Sequence, residues 1–213
     1  MKMSFKLYLR PMHLILGSQS PRRCEILGFF TLPFEQIASH FAEELVPFEG
    51  DPVSYASALS QGKANSLRAC YPKAVILTAD TVVFKAGAMG GKIFNKPADE
   101  QENFAMLKEL NGSWHSVFTA VTATNGTHSC TVCEETRVQF HHLTDHQLQL
   151  YHHAFQGIDK AGGYGIQTGG SMIVKRLEGC FYNVMGLPIG ALQQVLKEVG
   201  IDLWHYLPSF SHL

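Results

Sequence analysis

The sequence has no excess of either charge. Its 213 residues hold 17 lysines and arginines against 18 aspartates and glutamates, a net charge of -1 with histidine neutral, and charged residues make up only 16% of the chain. Proteins that grip duplex nucleic acid present a broad basic field, so no nucleic-acid polymer is expected as a partner, and any phosphate must be met by a local cluster. Long apolar runs are lacking as well. Phe5, Leu7 and Leu9 begin one, but Arg10 and Pro11 interrupt it, which predicts neither a signal peptide nor a membrane span and no membrane partner. Cysteine is sparse. Five residues, Cys24, Cys70, Cys130, Cys133 and Cys180, lack the spacing of a disulfide framework, which points to a reducing, cytoplasmic setting. Cys130 and Cys133 lie three apart in a predicted strand and should face opposite sides, against a redox or zinc role. No repeat or low-complexity segment is present. At 46% hydrophobic residues the chain is not disordered, and it can bury a core as one domain spanning residues 1–213.

What is present is concentrated first in residues 14–27. Leu14, Ile15 and Leu16 suit a short buried strand, and Gly17 lets the chain turn sharply out of it. Ser20 stands at a helix N-cap and Pro21 at the first helical position, with a stop at Gly28. Such a terminus presents unpaired N–H groups, reinforced here by two serine hydroxyls and by Arg22 and Arg23. Adjacent arginines in a first turn oppose the helix dipole unless an anion compensates, so the stretch predicts a phosphate site.

Further along, residues 33–37 read as a short strand, followed by a loop with Glu43 and Glu44. Asp51 and Pro52 open a helix running toward Arg68, with Lys63 on its flank, where nothing local separates a solvated amine from a functional one. Residues 74–84 form a nearly continuous apolar run broken by Thr78, Asp80 and Thr81, the pattern of a strand buried on both faces. A carboxylate there is costly unless paired with a cation or a metal, which singles out Asp80. Residues 85–95 read as a glycine-rich turn or hairpin returning to Lys96 and Pro97. Capping-box spacings at Asp99 with Glu102 and at Thr144 with Gln147 open two helices, and residues 113–140 form a hairpin about Asn125-Gly126. His142 and His146 have a metal-pair spacing, but the cap at Thr144 leaves His142 outside the helix, so His141, His142, His146, His152 and His153 read as surface residues. Residues 157–170 are a glycine-rich loop suited to close approach of a ligand, with Asp159, Lys160 and Gln167 as polar heads. Strands are predicted at residues 172–174 and 180–184, then a helix from Pro188 to Gly200 and a tail docked through Trp204. Strands alternating with helices, plus the hairpin, predict a mixed α/β fold.

An anion-binding helix start, lysines at Lys63, Lys92 and Lys96, and acids at Glu44 and Asp80 outline a polyphosphate site. Cations neutralise phosphate oxygens, carboxylates hold Mg²⁺, and a carboxylate can take a proton from attacking water.

Ser18-Gln19-Ser20-Pro21-Arg22-Arg23 with Glu25, Ala79-Asp80-Thr81, Lys96-Pro97, Asp159-Lys160-Ala161-Gly162 with Tyr164, Ile166 and Gln167, and Asn183 with Gly186-Leu187-Pro188 together resemble the Maf family, in its motif order. The resemblance implies a Maf/ITPase-like fold: an elongated mixed sheet with flanking helices and two lobes around a central nucleotide-binding cleft. It implies hydrolysis of a nucleoside triphosphate to the monophosphate and pyrophosphate, with a divalent cation, Mg²⁺ or Mn²⁺, as cofactor. Asp80 matches the family's proton acceptor and, with Glu44, a metal ligand; Ser18, Arg23, Lys63 and Lys96 match positions around the triphosphate. Arg22, Thr81 and Gln167 match the combination associated with dTTP and UTP. An amide such as Gln167 can both accept and donate at a thymine or uracil edge. The alternatives are a 7-methyl-GTP pyrophosphatase and a non-catalytic septum-formation inhibitor acting by binding, and a homodimer is a family-level expectation. Gln19, the longer 85–95 segment and Phe94-Asn95 before the Lys-Pro motif depart from the family pattern, so a lid over the triphosphate is expected to differ.

Overall fold

The structure, a computed structural model, describes residues 13–87 and 90–209, so the apolar start at residues 5–9 lies outside the described residues. Seven strands form one mixed sheet in the order β2-β1-β3-β5-β6-β7, with β4 added to β3. The central strand β3 (Val75–Gly87) runs parallel to β1 (Leu14–Leu16), which is parallel in turn to β2 (Glu35–Gln36). On its other side β3 is antiparallel to β5 (Trp114–Thr124), which continues antiparallel to β6 (Ser129–Phe140) and then to β7 (Val174–Glu178).

One detail of this pairing sets the position of everything functional. β1 covers the edge of β3 only from Val75 to Leu77, and β4 (Gly90–Phe94) covers the same edge only from Val83 to Gly87. Among the described residues, 78–82 are paired on the β5 side alone. The sheet therefore forks along one edge, and ligands in open sheets bind in the crevices where neighbouring strands diverge.

Helix α2 (Pro52–Cys70) packs on one face of the sheet. Its start is fixed by the Asp51 carboxylate, which accepts from the Val53 and Ser54 N–H groups, and Tyr55, Ala56 and Leu59 meet Val82, Phe118 and Ala120. The opposite face carries two separate cores. At one end α1 (Pro21–Leu27), α5 (Phe181–Met185) and α6 (Ile189–Glu198) bury Ile26, Met185, Leu192 and Leu196 against Leu77, Ala79 and Val121. At the other, α3 (Glu100–Leu110) and α4 (Asp145–Ala154) bury Leu107, Leu110 and Leu148 against Val83, Val117 and Val138. Each fully buried leucine contributes about 1.5–3 kcal/mol relative to exposure.

The mixed α/β architecture expected from sequence is the one observed, and both predicted capping acceptors, Asp99 and Thr144, cap their helices. Cys130 and Cys133 join cores on opposite faces of the sheet, as their spacing requires. His141, His142, His146 and His153 are exposed and His152 half-buried, and among the described residues no three His, Cys, Asp or Glu side chains cluster as a metal cage. No helix among the described residues is long and apolar enough to cross a membrane. Three expectations are corrected. Residues 181–185 are a helix, because Thr136 Oγ1 binds both the N–H and the carbonyl of Cys180 and Asn183 is drawn inward to the Val117 carbonyl at 2.9 Å. The strand before it falls at Val174–Glu178, after a 3-10 turn at Gly170–Met172. The tail docks through Ile201 and Leu203, each 1% exposed, while Trp204 faces solvent.

Candidate active site

Along the unpaired stretch of β3, consecutive side chains point to opposite faces, yet both reach the same cavity because the edge between them is open. Asp80 faces α2. There Lys63 lies in one stripe with Leu59 and Leu67, four residues to either side, and all three are buried. Its Nζ donates to Asp80 Oδ1 at 2.5 Å and lies 3.0 Å from Oε1 of Glu43, a half-exposed acid in the 3-10 turn Glu43–Leu45. Burial pushes the Asp80 carboxyl above the usual aspartate range, while Lys63 and Arg23 pull it back. The result is an acid more willing than an ordinary aspartate to accept a proton.

Thr81 faces the other way, toward α1 and α5. Arg23 spreads its guanidinium over three acceptors: Nε donates to the Gly186 carbonyl at 2.8 Å, one terminal nitrogen to Ser18 Oγ at 3.3 Å, the other to Thr81 Oγ1 at 3.1 Å. Thr81 Oγ1 lies 3.0 Å from Thr119 Oγ1, and Thr119 donates to the Asn183 carbonyl at 2.9 Å. Ser18 is held from behind, its carbonyl accepting from Gln36 Nε2 at 2.8 Å. The Ser20 hydroxyl makes no capping bond, and with seven residues α1 is short for a helix dipole, so anion binding falls to the side chains.

The third wall is the loop after α4. Asp159 accepts from Arg22 at 2.6 Å, and Tyr164 hydrogen-bonds His115 Nε2 at 2.8 Å. Gln167 brings a buried Oε1 that has no hydrogen-bond partner among the described residues. Lys96 and Glu44 stand exposed at the rim.

Together these walls enclose about 580 Å³, and all but one of the polar residues expected around a triphosphate line it: Ser18 from the turn after β1, Arg22 and Arg23 from α1, Lys63 from α2, Asp80 and Thr81 from β3, and Glu44, Lys96 and Gln167 from loops. Lys92 does not; it pairs with Glu109 elsewhere. Sequence reasoning missed Glu43 as the acid that touches Lys63, and it missed the Asp159–Arg22 pair, whose partners are 137 residues apart. The stripe of Leu59, Lys63 and Leu67 was a usable signal for Lys63. For Glu43 over its neighbour there was none, since the direction of each acid is set by the turn.

A family model described as "Maf-like protein" matches residues 13–199. The chain belongs to the Maf family. Among similar Maf proteins, one from Chlamydia felis named dTTP/UTP pyrophosphatase is 46% identical over 195 residues, 91% of this chain and 97% of that one. Another from Chlamydia muridarum, named nucleoside triphosphate pyrophosphatase, is 40% identical with the same coverage. Among solved structures, the Staphylococcus aureus Ham1 protein aligns at a TM-score of 0.40 and 12% identity over 60% of this chain and 71% of that one, too slight a likeness to carry an argument.

A divalent cation fits the donor set of this Maf-family site. Mg²⁺ is commonly held by one or two carboxylates and completed by substrate phosphates and water. Asp80, Glu43 and Glu44 are hard oxygen donors of that kind and line the cavity, although among the described residues they do not converge as a ready cage.

Proposed function

We propose that this Maf-family chain hydrolyses dTTP and UTP to the monophosphate and pyrophosphate. The reaction class rests on one observation: a buried, proton-seeking Asp80 shares a cavity with Ser18, Arg23, Lys63 and Lys96, a set suited to a triphosphate. Water attacks the α-phosphorus, its proton passes to Asp80, and the bond from that phosphorus to the bridging oxygen breaks as pyrophosphate leaves. Lys63 shields Asp80 in the free protein; phosphate oxygens offer its ammonium alternative partners and leave the carboxylate to act as acceptor. A Mg²⁺ or Mn²⁺ ion held by Asp80 with Glu44 or Glu43 would supply charge neutralisation and a more acidic water.

Gln167 supports the choice of base. A buried carbonyl oxygen without a partner costs about 1–3 kcal/mol until a donor arrives. Thymine and uracil carry a ring N–H donor for it, whereas the corresponding ring nitrogen of cytosine is an acceptor and leaves only the exocyclic amine to donate. The reducing cytoplasm is the compartment that suits this substrate and the cysteine usage.

Pyrophosphate release from dTTP, UTP, CTP and 7-methyl-GTP, with Mg²⁺ or Mn²⁺ present, tests both parts. The expected result is turnover of dTTP and UTP, reduced about 10²- to 10⁴-fold in Asp80→Ala, the range removed with a general base. Turnover of no nucleotide sinks the enzyme reading, and a preference for 7-methyl-GTP sinks the reading of Gln167.

A further inference from the structure

Several contacts hold the loop that carries Gln167, among them the Tyr164–His115 bond and the Gly162 N–H donated to the Asn95 carbonyl at 3.3 Å. At its root, Asn103 on α3 is fully buried, donating from Nδ2 to the Gly163 carbonyl at 2.8 Å and accepting at Oδ1 from the Gly157 N–H at 3.2 Å. The main chain closes so tightly there that a Cβ on Gly157 would lie 1.9 Å from the Gly163 oxygen. Between those two glycines the loop reaches α1. Arg22 donates from one terminal nitrogen to Asp159 Oδ2 at 2.6 Å and from the other to the Asp159 backbone carbonyl at 3.2 Å. The remaining carboxylate oxygen accepts from Lys160.

Two features make this more than a surface ion pair. Arg22 and Lys160 are only 17% and 15% exposed while Asp159 is 58% exposed, so the acid is the outer member and two cations lie inward of it, on the cavity wall. One negative charge against two positive ones leaves a surplus cation for an incoming phosphate. Arg22 also grips the loop by its main chain, so the contact fixes where the loop lies and not only which charges meet. A bidentate guanidinium contact has a defined plane and direction, which a lysine could not supply.

We infer that Asp159 is a positioning residue that latches the Gln167 loop onto α1, so that the base-selecting loop is held in register with the phosphate-binding side chains. The inference rests on the dTTP/UTP reading. Asp159 acts through Arg22 and the loop rather than on the reacting phosphorus. The opposite role, a carboxylate occupying the place of a phosphate and competing with it, makes the opposite prediction for affinity.

Steady-state kinetics on the full chain with UTP, dTTP and CTP, and inhibition by inorganic tripolyphosphate, separate these outcomes in the wild type, Asp159→Asn and Asp159→Glu. Asp159→Asn should raise KM for UTP and dTTP about tenfold with a smaller change in kcat, the weight of one charge-assisted pair partly open to water. Its preference for UTP over CTP should fall by a similar factor. Tripolyphosphate has no base to place, so its inhibition constant should stay within about twofold, and Asp159→Glu should recover most of the preference. A lowered KM in Asp159→Asn overturns the latch in favour of competition. An unchanged UTP-to-CTP preference, or a loss of tripolyphosphate binding equal to the loss of UTP binding, overturns it in favour of a purely structural pair. Wild-type protein that hydrolyses neither UTP nor dTTP fails on the reading of function itself, a result distinct from either.

Discussion

His115 is 3% exposed and packed edge-on against Phe140 and Tyr164, with Nε2 bonded to the Tyr164 hydroxyl and Nδ1 without a partner among the described residues. Burial, with Lys85 adding to it, pushes its pKa down to about 3 from an ordinary 6.5. The folded pKa lies below the unfolded one, so the unfolded chain binds the extra proton. Stability from this group is therefore complete above the unfolded value and drains away as pH falls through the window between the two. From pH 6.5 to 4.5 the loss attributable to His115 is about 2 kcal/mol. Urea melts at the two pH values should show His115→Gln losing less stability than the wild type by about that amount, since glutamine can still donate to Tyr164 and does not titrate. Equal losses would refute it. Asp80 was legible in the sequence because a charge inside a strand buried on both faces is an anomaly wherever it occurs. Lys63 was legible as a lysine in an apolar stripe and through its motif match, but its pairing with Asp80 was not, and nothing marked Glu43 over Glu44, since a flank lysine and a loop acid take their partners from what the fold sets opposite them.

Among the elements, those specified locally came through and those specified at a distance did not. The caps at Asp99 and Thr144 are contained in four residues each, and both helices start where expected. Cys-Phe-Tyr-Asn-Val reads as a strand by side-chain type, but Thr136, from a strand more than forty residues earlier, captures Cys180 and Asn183 and turns the segment into a helix. That helix ends at Gly186, whose φ of 110° is a left-handed conformation, and its carbonyl receives Arg23 Nε. Gly186→Ala strains this turn, and its Cβ would stand 3.3 Å from Thr81 Oγ1. The expected cost is about 1–2 kcal/mol, seen as a melting temperature lower by about 2–8 °C. A rise in KM for UTP should accompany it as the Gly186 carbonyl shifts away from Arg23. An unchanged melting temperature would show that the turn tolerates a side chain.

At the scale of the molecule, the sheet joins two cores that lie apart on the same face, and the cavity opens between them. Its walls come from both ends of the chain, α1 near the start and the loop before β7, so a bound nucleotide ties together parts otherwise linked through β3 and β5. A non-hydrolysable UTP analogue with Mg²⁺, at about one hundred times its Kd, should stabilise the folded protein by about 2.7 kcal/mol and raise its melting temperature by about 5–10 °C. No shift at any concentration would remove the cavity as the nucleotide site. The mixed sheet was legible from alternating elements, but the fork in it was not, because the sequence of β3 runs unbroken past the point where one neighbour ends and another begins.

That fork makes the cavity an inheritance of topology. It exists because, among the described residues, no strand pairs with 78–82 on one edge, and no exchange of side chains supplies one. Arg22, Thr81 and Gln167 can each be replaced without closing the space they line, and Asp80 keeps its place on a strand tied firmly to β5 whatever becomes of them. The architecture thus separates the durable from the negotiable: a descendant of this chain could change which nucleotide it destroys in a few substitutions, without having to rebuild the means of destroying it.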